Sequence, residues 1–143
     1  MKIRLALILI VALVALLPAG GMDSPASGKK ARATRFVPAG VWGGEHISMQ
    51  VNGAGAEIEF DCARGSILEP LVLNAKGRFR VKGTYKAETP APMQTNDPPG
   101  INAVYAGTFV GGTLRLEVSI SGVDGIKSFE LERGQPGRLA KCA

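Results

Sequence analysis

Apolar and polar residues alternate with a period of two along most of the chain beyond residue 46. In Ile47-Ser48-Met49-Gln50-Val51 every second residue is apolar, and Asn52-Gly53-Ala54-Gly55 then supplies a turn. In the next run Ala56, Ile58, Phe60 and Cys62 face one way, while Glu57, Glu59 and Asp61 face the other. If the turn pairs Val51 with Ala56, Met49 meets Ile58 and Ile47 meets Phe60 on the inner face. On the outer face Gln50 meets Glu57, Ser48 meets Glu59 and His46 meets Asp61. Residues 67–73 form an apolar run broken by Pro70, which predicts a short or edge strand. Arg78-Phe79-Arg80-Val81-Lys82-Gly83-Thr84-Tyr85 predicts another strand, with Phe79, Val81 and Tyr85 inward and three cations outward. Residues 86–102 carry four prolines and form the longest loop. The clearest hairpin joins 103–110 to 113–120 through Gly111-Gly112, a two-residue turn that suits the twist of paired strands. It sets Tyr105 opposite Val118, Gly107 opposite Leu116 and Phe109 opposite Leu114. A last strand over 126–133 turns Phe129 and Leu131 inward.

Seven or eight antiparallel strands at short intervals, with no helical stretch, define an all-β domain. A small up-and-down barrel is the expected architecture and a β-sandwich the alternative, because hairpins dominate and closure removes exposed edges. The inward aromatics would fill a narrow barrel or line a small apolar pocket.

The amino-terminal segments follow a different pattern. Lys2 and Arg4 precede an unbroken apolar run over residues 5–17, then Pro18 and small residues, the layout of a secretory signal peptide spanning 1–21. Thirteen helical residues reach roughly 20 Å, short of the ~30 Å hydrocarbon core, so no transmembrane span is expected in the mature chain. Residues 22–35 hold Lys29, Lys30, Arg32 and Arg35 among small and polar residues and read as a disordered basic arm. Residues 36–143 form the barrel domain.

Charge and cysteines follow from that division. The chain has 143 residues, with 17 Lys and Arg against 12 Asp and Glu. Six of those cations and one acid lie before Phe36, so the remainder balances at 11 of each sign. The net +5 therefore belongs to the leader and the arm. A neutral exported domain excludes nucleic acid as the expected partner. The arm could touch phosphate, anionic lipid or acidic polysaccharide, or serve as a solvated linker. Cys62 and Cys142 are the only two cysteines. In an oxidising compartment, secreted or periplasmic, an even count without a CxxC motif implies a structural disulfide tying the tail to an early strand.

Gly40-Val41-Trp42 at the head of the first strand, followed by a meander of about 100 residues, resembles the Gly-x-Trp opening of lipocalins and related calycin barrels. The resemblance covers the β-domain in outline and implies a barrel able to hold a small apolar ligand. Gly43-Gly44 and the lack of a helix after the strands depart from that pattern. Trp42-Gly43-Gly44, Glu59-Phe60-Asp61-Cys62 and the final Lys141-Cys142 also resemble small exported bacterial proteins of unassigned function, with no activity attached. Secreted barrel inhibitors of bacterial metalloproteases are similar in placing an arm before a disulfide-bonded barrel.

No motif fixes a reaction, and an enzyme is not expected. His46 is the only histidine. Ser48 lies about 6.6–7 Å from it at Cα on one strand, without the strained turn or oxyanion donors that an activated nucleophile needs. One histidine among acids is a thin set for zinc, and no metal or cofactor is expected. Glu57, Glu59 and Asp61 have the spacing of any acidic strand face, without a sugar cleft. The glycines sit at turns rather than at a strand-to-helix phosphate loop. Arg78, Arg80 and Lys82 suggest an anion site, or a stripe neutralised by the acids of 57–61 if those strands are neighbours. Two binding readings remain. One is a monomeric barrel holding a small apolar ligand, with Trp42, Tyr85, Tyr105 and Met93 near one mouth. The other is an envelope interaction protein or protease inhibitor acting through the 86–102 loop or the basic arm.

Overall fold

The computed structural model describes residues 33–88 and 99–142. The leader, residues 22–32 of the arm and Met93 lie outside the described residues. In chain order the strands are β1 (Arg35–Phe36), β2 (Gly40–Gly44), β3 (Ile47–Val51), β4 (Ala56–Phe60), β5 (Ala63–Ile67), β6 (Val72–Leu73), β7 (Arg78–Ala87), β8 (Ile101–Val110), β9 (Thr113–Ile120) and β10 (Lys127–Arg133). Eight of them close an antiparallel barrel in the order β2-β3-β4-β5-β7-β8-β9-β10, with β10 returning to β2. This is the up-and-down meander that the alternation predicts. β1 and β6 pair separately as a two-stranded sheet.

Both expected hairpin registers are present. Val51 pairs with Ala56, Met49 with Ile58 and Ile47 with Phe60. Tyr105 pairs with Val118, Gly107 with Leu116 and Phe109 with Leu114. In each case a turn of fixed length and a buried face select the same register, and a one-residue slip would turn the whole apolar set to solvent.

The stretch between these hairpins departs from the expectation. β4 ends at Phe60, and Cys62 lies in a two-residue turn rather than on the strand face. The chain then returns as β5, a strand of sequence Ala-Arg-Gly-Ser-Ile that carries only a weak apolar signal. The 67–73 run is split: Ile67 ends β5, while Val72 and Leu73 pair with Phe36 and Arg35. Arg35, assigned to the arm from sequence, is thus a strand residue. Because β5 intervenes, β4 and β7 are not neighbours, and the acidic stripe cannot neutralise the basic one.

Side chains fill the barrel interior. Trp42, Ile47, Met49, Tyr105, Leu114, Leu116 and Leu131 are fully buried. The Tyr105 hydroxyl donates to the Thr84 carbonyl at 2.7 Å, and burial pushes that hydroxyl well above its ordinary pKa. Three inward glycines make room for the large rings. A Cβ at Gly107 would lie 2.2 Å from the Phe79 ring, and one at Gly65 would lie 2.3 Å from the Tyr105 hydroxyl. At Gly83 it would lie 2.9 Å from the Tyr105 ring.

Closure explains the two glycines after the tryptophan. β10 meets β2 through only two register pairs, Glu132 with Gly43 and Arg133 with Trp42. At Gly44 the β10 backbone comes so close that a Cβ would sit 2.0 Å from the Glu130 carbonyl oxygen. At Gly43 a Cβ would strike the backbone of residues 135–137, where the tail crosses the outside of the barrel.

Candidate functional site

The meander sorts the loops into two ends. At the turn end lie the tight turns at 52–55 and 111–112 and the 68–77 connection. Asn52 organises its turn by accepting from the Ala54 and Gly55 N–H groups at 2.8 and 2.9 Å. Val37 and Leu71, both buried, close this end, and Val37 N–H donates to the Leu71 carbonyl at 3.0 Å. Trp42 belongs to this side of the interior: its ring meets Phe109 edge to face at 5.8 Å, and its indole N–H donates to the Pro38 carbonyl at 2.9 Å.

The disulfide end carries the Glu45-His46 turn, the Asp61-Cys62 turn, the 88–100 connection and the 121–126 loop. Its rim is aromatic. Phe60 packs against Tyr85 and against Phe129, with ring centroids 5.4 Å apart in each pair. Lys127 Nζ sits 5.4 Å from the Tyr85 ring centroid and 3.4 Å from its hydroxyl, a cation–π arrangement at a wet edge. Around this rim Ile101, Val123 and Ile126 are exposed, Ile126 to 62%. Tyr85 pairs with Ile101 across the base of the long connection.

Of the four residues expected near one mouth, the three that are described are separated. Trp42 lies toward the turn end, Tyr105 occupies the middle of the interior, and Tyr85 alone reaches the rim. Met93 is outside the described residues. Alternation marked Tyr85 and Tyr105 as inward, but it carries no information about height along the barrel axis.

Beside the rim, the carboxyl-terminal tail is latched to the two short turns. Cys62 and Cys142 form the disulfide, with Cα atoms 5.3 Å apart. Ala140 N–H donates to Asp61 Oδ1 at 2.8 Å, and His46 Nδ1 lies 2.6 Å from Asp61 Oδ2. The Ala140 N–H first, and His46 second, hold the Asp61 carboxyl below its ordinary value. Arg138 reaches Glu45 at 2.6 Å and lowers that carboxyl as well. Lys141 Nζ lies 3.4 Å from Glu59. His46 N–H donates to the Arg138 carbonyl at 2.8 Å while its own backbone takes φ of 64°, the left-handed conformation that the tight turn demands.

This cluster borders an open groove of about 530 Å³ lined by Glu45, His46, Ser128, Glu130, Gln135 and Arg138. The groove is polar, and each of its charged groups within the latch already has a partner. Ser48, the hydroxyl nearest in sequence to His46, lies under the tail, where a Cβ at Gly137 would come 2.6 Å from the Ser48 Cβ. The His46 N–H and the Asp61 carboxylate are thus both engaged by the tail's backbone. No group of three or more His, Cys, Asp or Glu residues suited to a metal occurs among the described residues, and no described helix is long and apolar enough to cross a membrane. The latch was only partly visible in the sequence: His46 opposite Asp61 followed from register, whereas Arg138 on Glu45 and Ala140 on Asp61 depend on the tail's path.

Comparison with protein-family models, with curated proteins and with solved structures finds no match to this chain.

Proposed function

We propose that the protein is an exported, non-enzymatic interaction module that engages an envelope protein through the rim at its disulfide end, together with the 88–100 connection, which β7 and β8 shorten at both ends from the expected 86–102. The observation that carries this reading is the contrast between a filled interior and an apolar rim. From Tyr105 inward, rings and glycine backbones are in direct contact, which favours a surface partner over an interior ligand. At the rim, Ile101, Val123 and Ile126 stand exposed beside Tyr85 and Lys127. Aromatic and aliphatic groups with one cation at a loop-bearing end are the composition of a protein contact site. The Cys62–Cys142 bond and the leader-like amino terminus support placement outside the cytosol.

The test is site-specific photo-crosslinking in the producing cell. A photoreactive residue at Ile126 is expected to yield one discrete protein adduct, and the same residue at Val110 of the turn end is expected to yield none. Equal labelling at both ends would remove the rim reading. Native mass spectrometry of the exported protein supplies the second arm, because a stoichiometric apolar small molecule retained in the barrel would replace the proposal with the interior-ligand reading.

A further inference from the structure

We infer that the outer face of β7 and β8 is a binding site for an extended anionic polysaccharide. The domain is neutral as a whole, yet its charge is segregated. Arg78, Arg80 and Lys82 project outward from β7 at successive steps of roughly 6.6–7 Å, and all three are exposed. Among the described residues none of the three makes an ion pair. The strand order explains why: β5, not the acidic β4, lies beside β7. The β5–β7 ladder stops at Ser66 and Thr84. Below it the nearest acid on that side, Glu69, uses Oε1 to accept the Lys82 backbone N–H at 3.0 Å.

On the other side the three cations face small, neutral partners. Lys82 pairs with Val104, Arg80 with Ala106 and Arg78 with Thr108. Beyond them, on β9, come Ser119, Glu117 and Arg115. Glu117 is thus held two strands, about 9–10 Å, from Arg80, and Arg115 is occupied by Glu130 at 2.8 Å. The small residues of β8 leave a trough between the taller side chains of β7 and β9. It deepens at both ends into open grooves: about 450 Å³ beside Lys82, Asn102, Val104, Ser119 and Ser121, and about 310 Å³ beside Thr108, Val110 and the ion-paired Arg115 and Glu130. From Asn102 to Thr108 the trough is roughly 20 Å long.

The lining selects the ligand class. One wall is a row of cations for carboxylates or sulfates, the other carries Ser119, Glu117 and the Glu130-paired Arg115, and the floor offers the Asn102 amide for hydroxyls and Val104 and Ala106 for the apolar face of a sugar ring. A single-stranded nucleic acid would call for aromatic platforms, and the outward positions of β7, β8 and β9 hold none among the described residues. An anionic bilayer is matched by apolar side chains standing beside the cations, whereas Val104 and Ala106 are half-buried at the trough floor.

The test is calorimetric titration of the mature chain with a hexamer of polygalacturonic acid at low and at physiological salt. Binding is expected, weakening as salt screens the cations. The triple variant R78Q/R80Q/K82Q should lose at least tenfold in affinity, and A106E, which sets a carboxylate on the trough floor, should lose a similar amount. The arm variant K29Q/K30Q/R32Q should change affinity less than threefold. Far-ultraviolet circular dichroism checks that each variant is folded. No binding of the hexamer, unchanged binding by the stripe variant, or equal binding of the methyl-esterified hexamer would each overturn the inference. Tighter binding of polyglutamate, polyphosphate or anionic vesicles would assign the stripe to another class and overturn it too. The site is independent of the rim, so Ile126→Asp should leave hexamer affinity unchanged; loss there would overturn the placement on β7 and β8.

Discussion

The two ends of this barrel are built on different principles. The turn end is closed by the chain itself: two tight turns, an Asn52 side chain that organises one of them, and the buried pair Val37 and Leu71. The disulfide end is held by a covalent bond and ion pairs on its flank, while Ile101, Val123 and Ile126 stay exposed around its partly buried aromatic ring cluster. A short chain can close one end with local turn chemistry and a few buried residues, while the other end keeps aliphatic side chains at the surface. The open end then needs constraints that do not bury its apolar groups. A disulfide and a latched tail supply these from the side.

The sharpest way to break this comparison is to remove the bond. C62S/C142S opens a loop of 80 residues, and should cost about 4–5 kcal/mol in urea unfolding by the chain-entropy model. A cost under about 1 kcal/mol would mean that the polar contacts of Asp61 and Glu45 alone hold the tail. Next in size is Leu71→Ala at the turn end, expected to cost about 3 kcal/mol because the residue is 2% exposed and its removal leaves a cavity in the plug. A loss below about 1 kcal/mol would show that the plug is not part of the core.

A smaller effect concerns pH. Asp61 has a carboxyl value below its ordinary 3.8 in the folded chain, through the Ala140 N–H first and His46 second. A group with a depressed folded value contributes stability that is fully present above its unfolded value and lost as pH falls through the folded one. The tail latch should therefore be intact above about pH 4 and loosen below it. In an NMR titration the Ala140 amide shift should move with a midpoint under 3.8, and a midpoint at or above that value would sink the assignment. The smallest effect is expected at the rim: Ile126→Ser, at a residue 62% exposed, should change stability by less than about 0.5 kcal/mol. A larger loss would make the rim part of the fold rather than a surface free for contact.

Much of the barrel was legible in the sequence, for local reasons. The Gly111-Gly112 and 52–55 turns have fixed lengths, so the flanking alternation specifies partner residues one by one, including His46 beside Asp61. The signal failed where elements are short or their faces ambiguous. β5 contains Gly65 and one charged residue among five positions, and its inward glycine exists to admit the Tyr105 hydroxyl, a partner 40 positions away in the chain. The site followed the same division. Tyr85 was recognisable as an inward aromatic, but its place at the rim, and that of Trp42 toward the opposite end, depends on the axial order of rings.

Strand periodicity, two hairpin registers, one disulfide partner for each cysteine and the confinement of net charge to the amino-terminal segments are readable from the chain alone. These follow from turn length, a period of two and elementary counting. The remaining strand neighbours, and with them which charges meet, are set by the tertiary fold. Inserting β5 between β4 and β7 separates the acids of residues 57–61 from Arg78, Arg80 and Lys82, and leaves a neutral domain with an unpaired basic stripe. Closure likewise set the path of the tail over Gly43 and Ser48, because a strand pairing between the first and last elements of a barrel has no local signal in the chain.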